Sequence, residues 1–165
     1  MKIYVTIILL VFSCHSLADD TVAFGALTLQ EKFNSYTKMH DTCMQEADNN
    51  YLSNEVIDEL KMLSPQAGIG LGFYRYKAIE ECARVEYMAL LTTLLSLELL
   101  NRKNPHQAVE DQINTYKTLL FSVNSIEMEK SFSDLPDTII KKLQGISAIT
   151  EPFNAFDAYD RAWPR

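Results

Sequence analysis

His40, Asp41 and Cys43 are three side chains of metal-binding type within four positions. Zinc accepts imidazole, carboxylate and thiolate ligands, and a glutamate just before Cys82 could join them if Cys82 were bonded to Cys43. No second histidine stands at ligand spacing, and the Glu-x-x-His pattern of di-iron helical bundles is absent. We therefore expect no metal and no other cofactor.

The spacing of the remaining reactive side chains does not indicate a catalytic site. Ser35 and Lys38 match the Ser-x-x-Lys string of penicillin-binding enzymes, but the Ser-Asp-Asn and Lys-Thr-Gly strings that accompany it are missing. Beyond residue 18 the chain has two histidines, His40 and His106, and neither is placed for a Ser-His-Asp or Cys-His arrangement. The sequence therefore predicts a protein that is not an enzyme.

Three glycines, Gly68, Gly70 and Gly72, lie on alternate positions. The stretch lacks both the Gly-Lys-Ser/Thr end of a phosphate loop and the glycine spacing of a dinucleotide fingerprint. Because glycines weaken a helix, it predicts a packed connection between helices, or a first helical turn where backbones approach closely. The alternative is a mobile loop that exposes residue types common at binding hot spots. Those residues are Phe73, Tyr74, Arg75 and Tyr76.

The N-terminus has the features of a secretory signal peptide. Lys2 is followed by an apolar run over 3–12 and by small residues at Ser16 and Ala18, and this run is too short to span a bilayer. We therefore predict a leader over residues 1–18, and export to the periplasm or the extracellular space.

A rival interpretation of the N-terminus is lipidation at Cys14. The residues from Val11 to Cys14 loosely resemble the bacterial lipobox, although Phe12 is a poor fit. Lipidation would add a membrane anchor to the domain that we predict over residues 19–165.

Removal of the leader leaves two cysteines, Cys43 and Cys82, in a chain bound for an oxidising space. An even number of cysteines there predicts an intramolecular disulfide. Two free buried thiols and an intermolecular bridge are the alternatives.

Apolar residues recur at helical spacing through almost the whole chain, which predicts an all-α fold: a compact bundle of five to six helices, stapled by the one disulfide. Thr28 and Glu31 form a capping box that predicts the start of the first helix, and Ser53 is expected to cap the second. The range 88–100 is apolar on more than one face, which predicts one long buried central helix that begins after the glycines.

Further helix boundaries are predicted near the C-terminus. Asn104 and Gln107 form a capping box, with Pro105 expected as the first helical residue, and Gly145 is expected just past the end of another helix. In the aromatic segment 152–165, side chains at helical spacing predict a single stripe docked on the bundle. An exposed anchor for a partner groove is the alternative. The stripe consists of Phe153, Phe156, Tyr159 and Trp163.

The negative charge of the chain is concentrated near its start. Between Asp19 and Leu60 there are nine acids and two lysines, whereas residues 61–165 hold thirteen acids and twelve bases. This distribution disfavours nucleic acid and anionic lipid as partners, since both need a basic surface. It is compatible with a basic protein partner, although an ordinary solvated face would have the same composition.

The small size, the predicted export and the absence of catalytic motifs together favour a binding protein of the inhibitor, immunity-factor or envelope-adaptor type. A carrier of a small apolar ligand is the alternative, with a pocket between the long helix and the aromatic segment. The predicted partner-binding surface consists of Asp41, Glu46, Asp48, Glu55, Asp58 and Glu59, with Tyr74, Arg75 and Tyr76 beside them.

Overall fold

A computed structural model describes the backbone of residues 2–121 and 123–164 and the side chains of residues 20–121 and 125–164. All of its regular elements are helical, and the described residues form no strand, which confirms the predicted all-α class. The elements are α1 (Lys2–Asn49), α2 (Asn54–Lys61), α3 (Ala67–Cys82), α4 (Arg84–Lys103), α5 (Gln107–Leu120), α6 (Val123–Ser133), α7 (Asp137–Gln144), a short 3-10 helix (Ser147–Ile149) and α8 (Ala155–Ala162).

The predicted leader, residues 1–18, and the predicted lipidation at Cys14 concern side chains outside those that the structure describes. Over the described residues, none of the helices combines enough length with enough apolar character to cross a bilayer.

The chain packs into two compact units, and α1 contributes residues to both. The first unit lies within Met1–Ser35 and Glu86–Phe121, and the second within Tyr36–Val85 and Ser122–Arg165. The buried apolar side chains of the first unit come from α1, α4 and α5. They are Val22, Leu29, Leu90, Leu94, Leu97, Val109 and Ile113.

In the first unit, α1 packs against both α4 and α5. A Cβ atom on Gly25 would lie only 2.8 Å from Cδ1 of Leu97, so the two helices approach closely at this glycine. The Gln112 side chain of α5 donates a hydrogen bond of 3.3 Å to the Ala26 carbonyl oxygen. The small side chains of α1 thus let it lie close to its neighbours.

An ion-pair network joins α4 to α5. Oε2 of Glu98 lies 2.8 Å from Nζ of Lys117, and Oε1 of Glu98 lies 2.7 Å from Nη2 of Arg102. Hydrogen bonds from Lys117 first, and then from Arg102, lower the pKa of Glu98 below its ordinary value.

The start of α5 is set by a buried asparagine rather than by the predicted capping box. Asn101 is almost fully buried, and its Oδ1 accepts a hydrogen bond of 2.9 Å from the backbone N–H of His106. Its Nδ2 donates to Glu110 at 3.1 Å. Helix α5 begins at Gln107, so the capping role predicted for Asn104 and the first helical position predicted for Pro105 are wrong: Asn101, five residues before His106, accepts the hydrogen bond at that end.

The predicted start of the first helix at Thr28 is also wrong. Thr28 lies inside α1, and its hydroxyl donates a 2.9 Å hydrogen bond to the Phe24 carbonyl oxygen one turn earlier, so no helix terminus remains for it to cap. The prediction for α2 is confirmed, since the Ser53 hydroxyl accepts a hydrogen bond from the Val56 backbone N–H.

The structure does not show the single long buried helix that the sequence predicts. The helical stretch after the glycines is divided at Ala83 into α3 and α4. Moreover, Met88, Leu95 and Leu99 of α4 are each more than half exposed. The apolar residues of α4 form two faces, and the described chain covers one of them.

The glycine stretch forms the beginning of α3 in the second unit. This agrees with the predicted first helical turn where backbones approach closely. A Cβ atom on Gly68 would lie 2.5 Å from the Tyr159 ring, and one on Gly70 would lie 2.2 Å from Cδ1 of Leu143. The two glycines therefore allow α7 and α8 to pack directly on α3. The alternative prediction of a mobile loop is wrong, because these residues are helical.

The predicted pairing of Cys43 with Cys82 is confirmed. Their Sγ atoms lie 2.08 Å apart, at disulfide distance, and their Cα atoms are 6.0 Å apart. The pair joins α1 to the last residue of α3 within the second unit. Around it, Ala47, Ile79 and Ala83 form a small buried cluster with Cys43.

Candidate protein-binding surface

The predicted acids on α1 lie on two different sides of that helix. Asp41 and Asp48 are seven residues apart, which is about two helical turns, so they share one exposed face. Glu46 is also exposed but faces the disulfide, and its Oε2 lies 3.8 Å from Sγ of Cys82. The structure thus separates Glu46 from the other two.

The predicted acids on α2 form the solvent face of that helix. Glu55, Asp58 and Glu59 are all exposed and lie three to four residues apart. Hydrogen bonds from Ser53 and from the backbone at the helix start lower the pKa of Glu55 below its ordinary value. Asp58 forms an exposed ion pair of 2.8 Å with Lys61.

Most of these carboxylates have no cation beside them. Asp48 pairs with Arg75 and Asp58 pairs with Lys61. Among the described residues, no ion pair is formed by the other four predicted acids, Asp41, Glu46, Glu55 and Glu59. The two helices therefore keep a negative surface charge that the chain itself leaves uncompensated.

Arg75 is part of this surface in a way that the sequence did not predict. Its Nη2 lies 2.7 Å from Oδ1 of Asp48, so a predicted partner-binding arginine and a predicted partner-binding acid bind each other. Its side chain is 17% exposed, and Nε is buried without a hydrogen-bond partner in the described part of the chain. Arg75 therefore positions Asp48 at the end of α1.

The two tyrosines beside Arg75 lie on other sides of α3. Tyr74 is half-buried and packs edge-on against Phe132, with ring centroids 5.6 Å apart, and burial raises its pKa. Tyr76 is hydrogen-bonded to Glu80 on the same helix. The structure therefore does not bring Tyr74 into the Asp48–Arg75 contact, and it ties Tyr76 to its own helix.

The C-terminal segment docks on the end of α1. The Asn154 side chain donates a 2.8 Å hydrogen bond to the Asp48 carbonyl oxygen, and the Asn154 backbone N–H donates to that of Asn50, also at 2.8 Å. Phe156 follows, with its ring centroid 6.0 Å from Cζ of Arg75. This distance is within the range of a cation–π contact.

Asn154 is a surface-forming residue that the sequence analysis missed, and Phe156 was assigned to the docked stripe rather than to this surface. The available signal was local: the Asn154 side chain caps α8 by accepting a hydrogen bond from the Asp157 backbone N–H at 3.0 Å. Asparagine three residues before aspartate is a recognisable helix start. A helix predicted to begin at residue 155 would place Phe156 on a different face from the one formed by Ala155, Ala158 and Ala162, which is buried.

The prediction that the aromatic segment docks is confirmed, but it does not dock as one stripe. Phe153 is fully buried, and the Trp163 ring donates a 3.0 Å hydrogen bond to the Leu63 carbonyl oxygen, whereas Phe156 is 75% exposed. Small residues form the buried face of α8 instead. They are Ala155, Ala158 and Ala162.

The other chemical features stay apart in the structure. The His40 ring lies 5.7 Å from the Tyr36 ring, and the described residues contain no group of three or more histidine, cysteine, aspartate or glutamate side chains arranged to hold a metal ion.

No protein-family model, curated protein or solved structure matches this chain.

Proposed function

We propose that this chain is an exported binding protein that holds a basic protein partner on the acidic surface formed by Asp41, Asp48, Glu55, Asp58 and Glu59. The observation that carries the proposal is the exposed, largely uncompensated charge of the second half of α1 and of α2. Such a surface attracts a basic partner over about 10 Å at moderate salt and speeds the encounter.

Aromatic residues beside these acids support the same proposal. Phe156 is 75% exposed and Tyr51 is 60% exposed, and both lie in segments that meet at the end of α1. Aromatic side chains are enriched in protein interfaces and supply much of the binding energy near their centres, where surrounding contacts exclude water. In this proposal the acids steer the partner, and Phe156 anchors it.

The Cys43–Cys82 pair supports the exported address in this proposal. Stable disulfides form in oxidising compartments such as the periplasm and the extracellular space. The carrier alternative would require a pocket beside α8, and no specific observation favours it: the Tyr159 ring fills the space against Gly68 of α3.

The test is affinity capture from envelope extract at low and at high salt, with proteins identified and quantified by mass spectrometry. The bait is compared with the charge-reversal variant Asp41→Lys/Glu59→Lys. Both of these acids are exposed and lack an ion pair within the described residues. The matched control is Glu127→Lys/Glu151→Lys, which makes the same charge change at two other exposed acids of the second unit.

We expect a basic protein to be retained at low salt by the wild type and by the control, and to be lost both at high salt and with Asp41→Lys/Glu59→Lys. Retention of the same protein by both variants would remove the acidic surface from the proposal. Recovery of only acidic or neutral proteins would contradict the proposed class of partner.

A further inference from the structure

One side of α4 is apolar and uncovered. Met88, Leu95 and Leu99 are 53%, 55% and 60% exposed, on the side of the helix opposite the buried Leu94. With Thr92 they follow alternating steps of four, three and four residues, the spacing by which one helix packs along another. The face continues at exposed Lys103, four residues after Leu99. We call these five residues, 88, 92, 95, 99 and 103, the α4 outer face.

A second uncovered apolar face lies on α1 in the same unit. Phe24 and Leu27 are 71% and 68% exposed, on the side of α1 opposite the buried Leu29. Asp20 precedes Phe24 by four residues, and Glu31 follows Leu27 by four, and both are exposed. We call residues 20, 24, 27 and 31 the α1 outer face. Its spacing of four, three and four is the same as that of residues 88, 92, 95 and 99 of the α4 outer face.

The two faces carry opposite charges. The α1 outer face is apolar between two carboxylates, Asp20 and Glu31, whereas the α4 outer face ends in a cation, Lys103. Within the described residues, Lys103 forms no ion pair, in contrast to its neighbour Arg102, which is bound to Glu98. The cation at the end of the α4 outer face is therefore matched by carboxylates on the α1 outer face.

The spacings also agree when the two helices are placed antiparallel. If Phe24 lies opposite Leu99, helical geometry puts Leu27 within about 1.5 Å of the level of Leu95, because three residues of α1 rise about 4.5 Å and four residues of α4 rise about 6 Å. Asp20 then lies opposite Lys103. Both apolar residues of α1 thus meet apolar residues of α4, and the charged ends meet with opposite sign.

We propose that the α4 outer face of one copy of this chain packs on the α1 outer face of a second copy, so that the protein self-associates through the first unit. The occupant is a second copy because both complementary faces belong to the same chain. Burial of exposed leucine and phenylalanine side chains drives the association, and the Asp20–Lys103 contact selects the antiparallel register. The proposal uses no residue of the proposed acidic binding surface. Self-association and partner binding can therefore be refuted independently of each other.

The first test is sedimentation velocity of the purified protein over a wide range of concentrations, with Leu99→Gln compared to Leu119→Gln. The two leucines are matched, since each is 60% exposed and both lie in the first unit, but Leu119 is on α5, outside both faces. We expect the wild type to associate, Leu99→Gln to raise the dissociation constant by about tenfold or more, and Leu119→Gln to leave it nearly unchanged. Circular dichroism checks that both variants keep their helical content.

The second test exchanges the charges of the predicted contact. Asp20→Lys and Lys103→Asp should each weaken association, and the double variant should restore it. A protein that stays monomeric at all concentrations overturns the proposal, and so does an equal effect of Leu119→Gln and Leu99→Gln. If Leu99→Gln weakens association but the exchanged pair does not restore it, the α1 outer face is not the occupant and the proposal is also overturned.

Discussion

At the scale of single residues, the glycines of α3 act through the side chains that they lack. Gly70 is buried, and Leu143 of α7 occupies the space in which its Cβ would lie. Gly72 is two residues further along the same helix and faces open space. The same residue type therefore has opposite energetic consequences at the two positions.

Alanine substitutions at these two glycines should change stability in opposite directions. Gly70→Ala places a methyl group 2.2 Å from Cδ1 of fully buried Leu143, so we expect a loss of about 1–3 kcal/mol in the free energy of unfolding. Gly72→Ala has no such neighbour and should stabilise α3 by up to about 1 kcal/mol. Chemical denaturation followed by circular dichroism measures both, and equal effects of the two substitutions would contradict this packing.

At the scale of the secondary-structure elements, the packing of the short helix α8 depends on Phe153, which precedes it, and on Arg161 near its end. Its buried face consists of alanines, which contribute little apolar area, while Phe153 just before the helix is fully buried in the core of the second unit. Arg161 adds a hydrogen bond of 2.9 Å to the Leu52 carbonyl oxygen. The docking of α8 therefore depends on Phe153 more than on the helix itself.

Alanine substitutions at Phe153 and Phe156 distinguish the buried phenylalanine of this segment from the exposed one. Phe153→Ala should reduce the free energy of unfolding by about 3–5 kcal/mol, because it leaves a cavity in a packed core. Phe156→Ala should reduce it by no more than about 1 kcal/mol, since that side chain is 75% exposed and its ring lies at cation–π distance from Arg75. Limited proteolysis should release the C-terminal segment from the first variant only; rapid release from the wild type would refute docking.

At the scale of the whole molecule, the Cys43–Cys82 disulfide is a covalent constraint within the second unit. It joins residues 39 positions apart and ties α1 to the end of α3, next to the small cluster around Cys43. A bridge over such a loop limits the freedom of the unfolded chain more than that of the folded one.

Removal of the bridge should lower stability without changing the folded structure greatly. For a loop of 39 residues, the loss of loop-closure entropy corresponds to roughly 4 kcal/mol. We expect the double variant Cys43→Ala/Cys82→Ala, and the wild type in reducing buffer, to unfold at the same, lower denaturant concentration. If reduction left the unfolding midpoint of the wild type unchanged, the bridge would not be a source of stability.

The all-helical class, the cysteine pairing, the Ser53 cap and the docking of the aromatic segment were predictable from the sequence. The helical class, the cap and the docking follow from the local spacing of residue types. The disulfide follows from the number of cysteines, because the two that lie beyond residue 18 can form one intramolecular pair. The acidic character of α1 and α2 was likewise readable, since charge is a property of composition. The basic protein partner and the export of the chain remain predictions from the sequence.

Tertiary structure alone decided which neighbour each side chain meets. Arg75, predicted for the partner-binding surface, forms an ion pair with Asp48. Asn101 of α4 accepts a hydrogen bond from the His106 backbone N–H just before α5, and α4, expected to be buried on all sides, has one face uncovered. For Arg75 the partner lies on another helix, 27 residues away, and for Asn101 it lies five residues further along the chain, beyond the end of α4. Helical spacing specifies the faces of each helix, whereas the packing between helices determines which of those faces are covered.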